Sequence, residues 1–94
     1  MTWELELLPE AEDDFDRLPR REQDRIVTQL AALRDDPLHP GTRQLSGNLR
    51  GGFRARAGDY RIGYCLDEAQ GVIEVWAIGH RGRFYQVAER RMKS

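Results

Sequence analysis

Cysteine is almost absent from this chain. Cys65 stands alone, so no internal disulfide can form, which fits a reducing compartment. Long apolar runs are missing too. No stretch approaches the roughly 18 residues that a membrane-spanning helix needs, and the acidic first dozen residues have neither the basic flank nor the apolar core of a secretory leader. A cytoplasmic protein without a membrane anchor is the expectation. The sequence also lacks a Walker-type glycine-rich phosphate loop, Cys/His spacing suited to zinc, and a paired carboxylate in its second half, where Asp67-Glu68 reads as a turn before Gly71. Neither a metal nor an organic cofactor is expected. With 94 residues, 39% of them hydrophobic, the chain has room for one core, so residues 1–94 are read as a single domain.

Net charge is −1, which alone points to no nucleic acid. Its distribution is lopsided. Residues 1–40 carry eleven acids against five arginines, whereas residues 41–94 carry ten bases against five acids. All but one of those ten bases are arginine, whose planar fork suits phosphate oxygens better than an ammonium does.

Trp3-Glu4-Leu5-Glu6-Leu7 alternates apolar with acidic residues and predicts a strand with one wet face. Pro9 suits a first helical turn. Glu10, Glu12, Asp13 and Asp14 sit where the helix dipole favours acids, and Ala11, Phe15 and Leu18 recur at helical spacing. Pro19 interrupts this helix and opens a second, in which Ile26, Val27, Leu30, Ala31 and Leu33 form the apolar stripe; Asp36-Pro37 ends it. Together they predict a helical hairpin lying on one face of a sheet. Residues 37–52, with two prolines and four glycines, read as a connector that Leu45 and Leu49 pin to the core.

The stretch from Phe53 to Tyr64, FRARAGDYRIGY, organises the rest. Phe53, Ala55 and Ala57 alternate with Arg54 and Arg56, a Gly58-Asp59 turn follows, and Tyr60, Ile62, Tyr64 and Leu66 then alternate with Arg61, Gly63 and Cys65. Parity puts Arg54, Arg56 and Arg61 on one face, beside a bare patch at Gly63 that an extended polyanion could approach. Val72 to Ile78 is nearly continuously apolar, predicting a strand buried on both faces and central in the sheet. After Gly79, His80, Arg81 and Tyr85 are expected to turn toward the arginine face, and Gln86 to Arg91 to form a ragged helical turn. The fold class is therefore α+β, ordered β-α-α-β-β-β, with the hairpin on one face of an antiparallel meander.

Between residues 53 and 66 the arginine face has no acid but Asp59. Like charges held together cost stability unless an anion joins them, and a phosphate backbone is the natural candidate. If RNA is cut there without a metal, the ribose 2′-hydroxyl is the available nucleophile, with arginines stabilising the charge that grows on the phosphate. His80 or Tyr85 would then accept or donate the proton, and the ordinary imidazole pKa suits His80 better. The acidic helices are expected to face away from the nucleic acid, leaving Asp13 and Asp14 without a role in binding.

The element order, the segment LSGNLRGGFRARAGDYRIGY and the terminal GHRGRFY resemble the RelE/ParE superfamily of bacterial and archaeal toxins, over nearly the whole chain. The resemblance implies a RelE-like toxin fold and a toxin of a type II toxin–antitoxin system. RelE-like members are ribosome-dependent mRNA endonucleases; ParE-like members instead inhibit DNA gyrase. It implies Arg54 and Arg56 as substrate-binding positions. Arg61 would hold the scissile phosphate, Arg81 would stabilise the transition state, and Tyr85 would stack on or help activate the nucleotide. His80 has no uniform counterpart and is added as a substrate-binding candidate. The partners implied are a cognate antitoxin, the ribosome and mRNA, with operator DNA bound through the antitoxin. RelE-like ribonucleases are often strongly basic overall, which this chain is not.

Overall fold

Alternation along Glu4-Leu5-Glu6-Leu7 builds strand β1 (Glu4–Leu7), its leucines half-buried and its glutamates exposed. Pro9 then starts helix α1 (Pro9–Asp16), with Glu10 and Glu12 in its first turn. Helix α2 (Arg20–Asp35) begins immediately after Pro19 and ends at Asp36. Ile26, Leu30 and Leu33 are its buried residues. Val27, assigned to the stripe from sequence, lies off that face and is 53% exposed, and Ala31 is exposed beside it. The computed structural model describes residues 3–92 of the chain.

Within the connector, residues 42–44 pair as a short strand, β2 (Thr42–Gln44), and Gly47–Leu49 form one 3-10 turn. Then come β3 (Phe53–Ala57), β4 (Tyr60–Asp67), β5 (Val72–His80) and a full helix, α3 (Phe84–Met92). The last is more than the ragged turn expected. The five strands order as β1-β5-β4-β3-β2. Four of them form the antiparallel meander and β1 joins β5 in parallel, so the sheet is mixed. β5 is an interior strand as expected, but β4 holds the middle.

Two clusters form on opposite faces of the sheet. Against α1 and α2 pack Ala55, Ile62, Tyr64, Ile73, Val75 and Ile78. On the other face, Leu45 and Leu49 of the connector and Phe84 of α3 pack with Trp76 and Ala77 of β5. A β-bulge explains how adjacent Trp76 and Ala77 both face α3: Gly63 pairs with Ala77 and Tyr64 with Val75, leaving Trp76 as the extra residue.

β1 stops opposite Val75, so the backbone of β5 beyond it must find other partners. Asp14 Oδ2 accepts the Ile78 N–H at 3.0 Å. Arg91 of α3 grips the same carboxylate at 2.6 and 3.0 Å and donates to the Trp76 carbonyl at 3.0 Å. One ion pair therefore ties α1, β5 and α3 together. Asp14 is a structural group rather than a free surface acid, and its carboxylate holds the Arg91 guanidinium above its ordinary pKa.

Candidate functional site

β3 and β4 meet at the Gly58-Asp59 turn, where Gly58 has φ +63° and no other residue of the turn is left-handed, as a type II′ hairpin requires. That turn fixes the register. Arg56 stands directly opposite Arg61 and Arg54 opposite Gly63, a spacing of about 5 Å between side-chain bases on one face. Three guanidiniums thus occupy two adjacent strands, as parity predicted.

Arg61 is half-buried and donates from Nη1 to the carbonyls of Gly58 at 3.1 Å and Tyr60 at 2.9 Å. Its pKa is lowered, first by burial, then by Arg56 and Arg54, and further by Arg81, while Tyr85 acts in the opposite sense. Arg81 and Tyr85 therefore lie close enough to act on Arg61 through space. Arg81 follows β5. Its backbone N–H donates to the Asp59 carbonyl at 2.8 Å, and its Nε lies 3.9 Å from the Asp59 carboxylate, with both side chains exposed. Such a pair contributes little to stability, so Arg81 can turn to another anion at small cost. Tyr85 opens α3, 46% exposed, with its ring edge-on to Phe84 at 5.2 Å. Phe84 is fully buried and stacks on Trp76, so the half-exposed phenol has a rigid seat.

His80 does not join this group. It pairs with Tyr60 across the strands, and the two rings meet edge to face at 5.6 Å. Tyr60 packs with the hairpin-side core, so the imidazole lies on the face opposite the arginines. Its Nδ1 accepts the Gly82 N–H at 3.2 Å. The sequence placed His80 beyond Gly79 without fixing the parity of the strand end, and the bulge at Trp76 decides that parity.

The patch at Gly63 is not bare either. Gly63 is buried, and a Cβ there would stand 2.9 Å from Cζ of Phe84 and 3.0 Å from Cη2 of Trp76. Glycine at 63 serves the docking of α3, not of a ligand. Among the described residues, no three His, Cys, Asp or Glu side chains are grouped to hold a metal ion.

Arg43 is a member of this face that the sequence pattern does not reveal. On β2 it faces Arg54 directly, carrying the positive track onto a third strand. Its signal, three extended residues between turn formers, is shorter than a strand pattern needs to be legible. A groove of about 370 Å³ opens beside it, walled by Arg43, Arg54, Leu45, Leu49, Tyr85 and Glu89.

A hairpin sealing one face of a five-stranded sheet, with an arginine cluster on the other beside a C-terminal helix, is the RelE-like toxin fold. The similarities bear this out. A chain of the RelBE2 toxin–antitoxin complex from Mycobacterium tuberculosis superposes with TM-score 0.80 at 27% identity, covering 86% of this chain and all of that one. A chain of the archaeal RelE-RelB complex from Pyrococcus horikoshii gives 0.74 at 26%, covering 88% and 99%. The isolated RelE toxin of E. coli, 18% identical, gives 0.73 over 97% and 99% of the two chains and speaks for the fold alone. No curated protein matches. Residues 5–85 match the model of the ParE toxin of type II toxin–antitoxin systems, parDE, and the chain belongs to that family.

Proposed function

We propose that this toxin is a metal-independent endoribonuclease that cuts mRNA on the ribosome. The observation that carries the reading is the gathering of Arg54, Arg56 and Arg81 around Arg61, whose pKa is lowered first by burial and then by these cations, on two strands where the nearest acid is Asp59 of the turn. A bound phosphodiester would relieve that mutual repulsion. In this reading Arg54 and Arg56 hold the flanking phosphates. Arg61, oriented by the turn carbonyls, and Arg81 face the scissile phosphate. The 2′-oxygen attacks phosphorus as its proton leaves, and the bond from phosphorus to the 5′-oxygen breaks, leaving a 2′,3′-cyclic phosphate and a 5′-hydroxyl once that oxygen is protonated. The two guanidiniums stabilise the charge on the non-bridging oxygens in between. Tyr85 brings to this face an aromatic hydroxyl that can stack on a base or exchange a proton. A cognate antitoxin, encoded beside the toxin, would cover the same face, and operator DNA would be met through the antitoxin.

Inhibition of DNA gyrase by protein binding is the second reading, favoured by the ParE description of the matching family. Expressing the toxin with and without the neighbouring reading frame, mapping mRNA 5′ ends and assaying gyrase supercoiling separates the two. New 5′ ends at in-frame positions, with supercoiling intact, are expected. Lost supercoiling with intact mRNA would establish the second reading. Binding to ribosomes should weaken steeply as salt rises, in proportion to the phosphates contacted.

A further inference from the structure

The groove between β2 and α3 holds charged groups of both signs that do not pair. Arg43 and Arg54 face each other across β2 and β3, where like charges in direct opposition are destabilising. Glu89 lines the same groove and is exposed. Among the described residues, however, the ion pairs involve only Arg20, Arg81 and Arg91 with their acids. The carboxylate therefore forms no ion pair with either guanidinium. Its position on α3 is set by the helix: Glu89 comes four residues after Tyr85, so the two share a face one turn apart.

The rest of the wall is suited to a flat ring. Leu45 and Leu49 present edges of buried side chains, 7% and 6% exposed, and Tyr85, edge-on to Phe84, keeps much of its ring exposed. A volume of about 370 Å³ lies at the small end of ligand pockets, which run from roughly 300 to 1,000 Å³. It accommodates a nucleobase but not a folded domain. Arg54 and Tyr85 belong both to this groove and to the arginine cluster, so a strand whose phosphate lies on Arg61 can place a neighbouring base here.

We infer that the groove receives an RNA base adjacent to the cut phosphate, and that Glu89 is a specificity-determining residue that accepts hydrogen bonds from an amino-bearing base edge. Cytosine, adenine and guanine each offer an amino group; uracil offers a single N3–H flanked by two carbonyl oxygens that a carboxylate repels. A carboxylate beside a polyanion weakens binding uniformly unless it gains a hydrogen bond from the ligand, and an amino group supplies one without setting two carbonyl oxygens against the carboxylate, as the uracil edge does. Arg43 would hold the phosphate beyond that base. The inference rests on the endoribonuclease reading.

The test compares cleavage by wild-type toxin, Glu89→Gln and Arg43→Ala on ribosome-bound mRNAs whose codons differ only in the base flanking the cut, with antitoxin-free protein and melts of each variant. Glutamine keeps the shape but adds an N–H that donates to a uracil carbonyl. The ratio of cutting at amino-bearing bases to cutting at uracil should fall about tenfold or more with Glu89→Gln. Arg43→Ala should slow cutting at all codons alike and flatten the salt dependence. An unchanged ratio in Glu89→Gln would overturn the inference and leave the nuclease reading standing, as would an equal rise at every codon, which would make Glu89 a mere electrostatic brake. Absence of cleavage by the wild-type toxin would remove the nuclease reading, and this inference with it.

Discussion

On the face that meets α1 and α2, Ala55, Ile62, Ile73 and Val75 have no exposed surface. On the other face of the same strands, Arg54 and Arg61 are half-buried and Arg56 is exposed. A period of two generates both faces from one sequence; their different fates follow from what is available to cover them. Apolar side chains are worth about 1.5–3 kcal/mol each when buried, enough to hold a helical hairpin in place. Guanidiniums resist such burial, so α3 covers the second face only where glycine and aromatics let it, over Gly63, Trp76 and Ala77. The arginines keep the remaining surface.

The largest effect should come from emptying the uncovered face. Arg61→Ala and Arg81→Ala should each lower mRNA cleavage by about 10²–10³-fold, the typical loss when a preorganised transition-state donor is removed. Stability should change by less than about 1 kcal/mol, since the Arg81 pair is exposed and Arg61 binds only turn carbonyls near solvent. Lysine at either place should rescue part of the rate, an ammonium being unable to bridge two phosphate oxygens. Single-turnover cleavage alongside thermal melts decides it. Variants that melt normally and cut at the wild-type rate would make the two faces differ in charge alone, not in function.

Next in size is the clamp between the faces. Asp14→Ala removes the acceptor shared by Arg91 and the Ile78 N–H, leaving a part-buried cation and a strand N–H without that partner. Removing one side of such a pair costs about 3 kcal/mol. Urea titration of Asp14→Ala and Asp13→Ala should show this loss in the first alone, Asp13 being exposed.

How much of this was legible in the sequence varied with the length of the pattern. The hairpin helices, the β3–β4 turn and the positions of Arg54, Arg56 and Arg61 follow from periods of 3.6 and two sustained over several residues. β2 did not, because three residues cannot display a period. Nor could a one-residue slip in β5 be foreseen: the bulge at Trp76 leaves the strand's apolar run unchanged, yet it decides that His80 packs on Tyr60 rather than facing the arginines. Asp14 looked like one more acid in an acidic turn. Its role depends on where β1 ends against β5, a fact of register between residues far apart in the chain.

A smaller loss is expected from Gly63→Ala, which tests why α3 stops where it does. The added methyl would sit within 3.0 Å of two buried aromatic rings, and overpacking of this kind costs about 1–3 kcal/mol. Displacement of Phe84 would also move Tyr85, so cleavage should fall while Arg61 itself is untouched. Serine or valine should be worse than alanine; a melt unchanged in Gly63→Ala would mean that α3 rides loosely on the sheet.

The smallest effect belongs to the sealed face, and pH reads it. Tyr64 is fully buried, and its hydroxyl donates to the Pro37 carbonyl at 2.5 Å, tying the connector to the core. Burial, partly opposed by the Thr42 hydroxyl, pushes its pKa up to about 12. An unfolded tyrosine ionises near 10, so on raising the pH the unfolded chain loses the proton first. The stabilisation is complete below pH ~10 and drains as pH rises through about 12. Burial also raises the Cys65 thiol, which acts in the same direction, so the comparison is best made in a Cys65→Ser chain. There, Tyr64→Phe should cost about 1 kcal/mol at neutral pH, because the Pro37 carbonyl loses its donor, and should flatten the alkaline decline between pH 10 and 12. Denaturant titrations across that range are the measurement. A decline equally steep without the phenol would show that the connector, not the sealed face, gives way first in alkali.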